Sequence, residues 1–106
     1  MTFDDFVQLV DEHVRATAPG LPLVMANRPS ERFGSVAWRR KADAEIPAGQ
    51  TLPAVRTIEL DGDRALFLYF GSDWQRPDAT ETVTLDEPAA GRAATRIADH
   101  LDGRPR

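Results

Sequence analysis

Ala54-Val55-Arg56-Thr57-Ile58-Glu59-Leu60-Asp61-Gly62-Asp63-Arg64-Ala65-Leu66-Phe67-Leu68-Tyr69-Phe70 is the stretch on which the fold turns. Two runs rich in β-branched, aromatic and aliphatic residues flank Asp61-Gly62. Glycine accepts positive φ at no steric cost, so this dipeptide between two such runs predicts a hairpin of Ala54–Leu60 with Arg64–Phe70. The second run is apolar at nearly every position. A strand of that kind belongs in the middle of a sheet with both faces at least partly covered.

Upstream, Ser35 to Lys41 alternates. Val36, Trp38 and Arg40 fall on one face, and Ser35, Ala37, Arg39 and Lys41 on the other. This predicts a half-exposed strand near a sheet edge, where positive charge discourages unwanted pairing. Leu21 to Ala26 is a short apolar run of strand length, followed by a turn at Asn27-Arg28-Pro29-Ser30. Ala42 to Pro53 holds two prolines and a glycine and reads as a long loop. Downstream, Gly71 to Thr80 reads as a polar loop carrying Trp74 and Pro77, and Thr82-Val83-Thr84-Leu85 as a last short strand.

Helical periodicity brackets this middle segment. Phe3, Phe6, Val7, Val10 and Val14 recur at the spacing of one helical stripe, which predicts a helix from about Phe3 to Thr17. Thr2 stands at its N-cap with Asp5 three residues on, and Ala18-Pro19-Gly20 stops it. Asp4 and Asp5 suit the positive end of the helix dipole, and Arg15 the negative end. Asp86 predicts the cap of a second helix, with Glu87 and Pro88 in its first turn. Its stripe is Ala90, Ala93, Ala94, Ile97, Ala98 and Leu101. At roughly 25 cal/mol per Å² of apolar area, this alanine face stabilises less than the Phe/Val face of the first helix. Gly103 ends it, and 103–106 is expected to be a frayed tail.

The expected fold is therefore α+β: one domain over residues 1–106, with about five antiparallel strands in the order α-β-β-β-β-β-α and both helices packed on the sheet. A chain of 106 residues is the usual size of one domain and buries a thin core. Hydrophobic residues at 42% and charged residues at 28% are an ordinary globular balance. Twelve arginines against one lysine, with fifteen alanines, is the bias of GC-rich codons and so of a bacterial genome of that kind. No apolar run approaches the ~20 residues of a membrane helix. The first residues lack the basic and apolar regions of a secretory signal, so a cytoplasmic protein without membrane contact is expected.

Chemistry is narrowed by exclusion. Without cysteine there is no disulfide, thiolate nucleophile or cysteine-ligated metal. His13 and His100 have no helix-spaced ligand partner, and each reads as a helix-surface or helix-end residue. Asp61-Gly62-Asp63 lacks the later oxygen ligands of a calcium loop. No glycine-rich phosphate loop and no nucleophile elbow is present. The expectation is no catalytic residue, no metal and no cofactor.

What remains is a basic and aromatic cluster. The net charge of −4 is uneven: residues 28–56 carry a local +3 inside an acidic chain. Arg28, Arg32, Trp38, Arg39, Arg40 and Lys41 fall there, and Trp74 and Arg76 lie in the loop 71–80. Arginine and tryptophan are favoured where proteins meet, and these eight are the candidate binding residues. Equally, Trp38 could sit in the core and the charges merely keep an edge strand soluble. Three functions follow in order. The first is a non-enzymatic protein-interaction module: an adaptor, small chaperone, inhibitor or toxin-neutralising partner. Its partner is another protein or a second copy, the latter through the Ser35–Lys41 edge or the second sheet face. The second is a ligand-binding or enzymatic domain with a pocket lined by Phe67, Tyr69 or Trp38. The third, disfavoured by the net charge, is nucleic-acid binding through residues 28–41.

Overall fold

The computed structural model describes residues 1–21, 23–27, 35–40, 53–73 and 75–102. Elements run α1 (Phe3–Thr17), β1 (Leu23–Asn27), β2 (Ser35–Arg40), β3 (Ala54–Leu60), β4 (Arg64–Phe70), β5 (Ala79–Thr84) and α2 (Glu87–Asp102). The strands form one antiparallel meander in the order β1-β2-β3-β4-β5. The chain is α+β.

Helix α1 starts where its cap dictates. The Asp5 N–H donates to Thr2 Oγ1 at 3.1 Å and the Phe6 N–H to the Thr2 carbonyl at 2.9 Å. Phe3, Phe6, Val7, Val10 and Val14 are all buried, as their spacing requires. Helix α2 is capped by Asp86, whose Oδ1 accepts from the Ala89 N–H at 2.8 Å. Its buried stripe is Ala89, Ala90, Ala93, Ala94, Ile97, Ala98 and Leu101. Small side chains let α2 lie close along α1, and α2 also touches β2 and β3.

Both helices cover the same face of the sheet. Directly opposed residues of antiparallel strands share a face, so register assigns every side chain. Trp38 opposes Val55, which opposes Tyr69, and Val36 opposes Thr57, which opposes Phe67. All six are buried on the helix side. Phe67 is the hub. It lies 6.4 Å from Trp38 and 6.4 Å from Tyr69 in near-parallel stacking, and Phe6 of α1 meets it edge-on at 6.2 Å.

The hairpin forms as the dipeptide predicts. Asp61 and Gly62 have φ of 54° and 78°, and Leu60 pairs with Arg64. Three expectations need correction. Ser35–Arg40 lies near an edge but is not the edge itself: β2 pairs with edge strand β1 on one side and β3 on the other, so no second copy can add to it. Its one described charged side chain, Arg39, is carried on the outer sheet face, not at a guarded edge. The last strand begins at Ala79, three residues before Thr82, because the Asp78 N–H already donates to the Tyr69 carbonyl at 2.8 Å. Pairing with β4 outweighs the weak strand propensity of that polar stretch. Leu85 falls beyond the strand end, with its N–H on the Asp63 carbonyl and its side chain in the core. The first strand begins at Leu23, and Leu21 instead turns back to the Ala18 carbonyl.

Two stability changes follow. Thr57 is fully buried and its Oγ1 has no hydrogen-bond partner among the described residues. Thr57→Val removes an unsatisfied hydroxyl at constant shape and should raise stability by about 1 kcal/mol in urea unfolding. A fall would mean that the hydroxyl is satisfied. Gly62→Ala places a side chain at φ 78° and should cost about 1 kcal/mol in the same measurement.

Candidate functional site

Among the described residues, the sheet presents one face to the helices and leaves the other without them. That outer face is assembled from the alternate positions of each strand. Arg39 opposes Ala54, which opposes Phe70. Ala37, Arg56, Leu68 and Thr80 form the next row across β2 to β5. Ile58, Leu66 and Thr82 form a third, and Leu60, Arg64 and Thr84 a fourth. Ala54 and Phe70 are buried at one end. Ile58, Leu60, Leu66 and Leu68 are each half-buried, so an aliphatic strip remains partly open to solvent.

The described strand positions of this face carry charge of one sign. The charged side chains that the described strand positions direct outward are Arg39, Arg56 and Arg64, with no carboxylate among them. Arg64 is neutralised locally by Asp61 and, at 3.9 Å, Asp63 of the hairpin. Arg56 makes an interaction within the chain. Arg39, half-exposed, makes no ion pair among the described residues. In contrast, α1 turns Asp4, Asp5 and Glu12 to solvent. The helix layer thus carries carboxylates together with the exposed Arg15, Arg92 and Arg96, whereas the described strand positions of the outer face carry arginines alone.

The sequence-derived candidates scatter against this surface. Arg28, Arg32, Lys41 and Trp74 lie outside the described residues, as does the side chain of Arg40. Arg39 stands on the outer face. Arg76 is exposed in the β4–β5 loop, beyond the same sheet end as Arg39. That loop is shaped by Asp73, whose Oδ1 accepts from the Gln75 N–H at 2.8 Å. Trp38 is not a surface anchor. It is fully buried, and its Nε1–H donates to Asp11 Oδ1 at 3.1 Å while Arg15 Nε donates to Oδ2 of the same carboxylate at 3.0 Å. An indole on the helix side of β2 gains most by filling the core, and Asp11 on α1 satisfies its one polar atom. Ile58 of β3 went unselected, as did Leu66 and Leu68, for which the near-continuous apolar run of β4 was the signal.

The side chains expected to line a pocket between sheet and helices are packed together. Trp38, Phe67 and Tyr69 pack on one another with at most 2% exposure. His13 is exposed. His100 ties the last turn of α2 to the sheet, donating from Nε2 to the Phe70 carbonyl at 2.7 Å with its ring edge-on to Tyr69 at 5.5 Å. Arg96 pairs with Glu81 of β5, and that hydrogen bond and charge hold its guanidinium pKa above the usual value. Among the described residues no group of three or more His, Asp or Glu side chains converges on a point where a metal could sit. No helix among them is long and apolar enough to cross a membrane. No protein-family model, curated protein or solved structure matches the chain.

Asp11→Ala should cost about 1–3 kcal/mol in urea unfolding, because it leaves the buried Trp38 N–H without an acceptor. Asp11→Asn keeps an oxygen there and should cost less. Equal losses would mean that the hydrogen bond contributes nothing.

Proposed function

We propose that this chain is a non-enzymatic protein-interaction module that binds through the helix-free face of its sheet. One observation carries the reading: two helices cover one face of a five-stranded sheet, and the other keeps an aliphatic strip at Ile58, Leu60, Leu66 and Leu68. A half-buried strip of this kind gains free energy from every further Å² that a partner removes from water. An adaptor, an inhibitor, a small chaperone or a toxin-neutralising partner would use such a surface in the same way. The arginine and tryptophan cluster contributes through Arg39, with Arg76 at the neighbouring loop, and without Trp38.

The aromatic packing of the core supports binding at a surface over binding in a cleft. It also weakens a nucleic-acid role for residues 35–40. Single strands are gripped by bases stacking on exposed aromatic rings, and Trp38 is sealed beneath the helices.

The test is reconstitution. A protein captured from the source cell should be identified, purified and titrated against the chain. Thr82→Glu and Leu66→Thr, both on the outer face, should weaken that binding about tenfold, whereas Arg92→Glu on the exposed side of α2 should leave it unchanged. Binding that follows Arg92 and ignores Thr82 and Leu66 would move the interface to the helix layer and end this reading.

A further inference from the structure

The charge on the outer face identifies the kind of partner that fits it. We propose that the helix-free face receives an acidic amphipathic segment of a partner protein. Its apolar side chains would lie on Ile58, Leu66 and Leu68, and its carboxylates would face Arg39. This rests on the docking reading above and adds the chemistry of the occupant.

Three observations select that occupant. First, the strand positions that point outward hold arginine, threonine and aliphatic residues and no carboxylate among the described residues, in a chain whose net charge is −4. The described strand positions of this face thus differ in sign from the chain as a whole. Second, a second copy is a poor occupant. A two-fold contact of this face with itself apposes the same patch twice and would bring the arginines of both copies together in a drying interface. Third, aliphatic side chains cannot stack bases, and the rows that carry Arg39 and Arg56 expose no aromatic ring, since Phe70 is buried. An acidic amphipathic segment satisfies both halves of the surface: area from the apolar strip, and orientation from Arg39. Arg39 is decisive, because it has no ion pair among the described residues to be broken first.

The experiment is a selection of random displayed peptides on the purified chain, followed by titration of the enriched peptides as synthetic probes. Enrichment of sequences that combine Asp or Glu with large apolar residues is expected. Arg39→Glu should weaken them about tenfold, Arg39→Lys should retain most of the affinity, and rising salt should weaken binding. Thr82→Glu, at an exposed position beside Leu66, should weaken them without disturbing the core. Thermal melts of each variant separate lost binding from lost folding. Enriched peptides that are basic or uncharged, or that are indifferent to Arg39→Glu yet lost with Thr82→Glu, overturn the acidic occupant and leave the docking face standing. Peptides indifferent to both variants overturn the docking face as well. No enrichment overturns the proposal. In that case, self-association in light scattering that Arg39→Glu changes would assign the face to a second copy, and binding of a mixed oligonucleotide at low salt would assign it to nucleic acid.

Discussion

Phe67 is the side chain on which this structure depends. It sits at the middle of the helix-covered face, stacked between Trp38 and Tyr69 and met edge-on by Phe6. Those four rings come from β2, β4 and α1, so a single aromatic cluster joins the sheet to the helix that precedes it. The polar ends are resolved individually. The Trp38 indole finds Asp11 on α1, and the end of β4 is held by His100 from α2. Alanines on α2 fit beside this cluster because they ask for little room. The short side chains bring the helix axis near α1, and the large rings supply most of the buried area.

Much of this was legible in the sequence because it depends on local periodicity. The stripe from Phe3 to Val14, the cap at Thr2, the cap at Asp86 and the turn at Asp61-Gly62 are each decided by residues within a few positions of one another. The errors arose where tertiary pairing decides. Ser35–Lys41 looked like an edge because its outward residues are charged. Yet a residue on a sheet face and a residue at a sheet edge can have the same alternation, and only the partner strands distinguish them. The start of β5 was missed for a related reason. Ala79-Thr80-Glu81 has little strand character of its own and is extended because β4 lends it a ladder.

The candidate site was legible only in part. Arg39 was singled out for its charge and does stand on the open face. Trp38 was singled out with it and lies one residue away on the opposite side, since a strand reverses direction at every step. The aliphatic strip beside Arg39 was hidden by its own excess of hydrophobicity. A run such as Ala65 to Phe70 does not say which of its two faces is sealed. That answer required knowing that both helices lie on the side of Ala65, Phe67 and Tyr69.

The pairing of α1 with α2 has a consequence for how the molecule is built. Every strand joins its chain neighbour, so the meander can grow in step with synthesis at small loop-closure cost. Its roof cannot. One beam comes from residues 3–17 and the other from residues 87–102, which leave the ribosome only after all five strands. Until then the greasy underside of the sheet is sheltered by one helix alone, and the nascent chain carries an exposed surface that vanishes only as synthesis reaches its second helix.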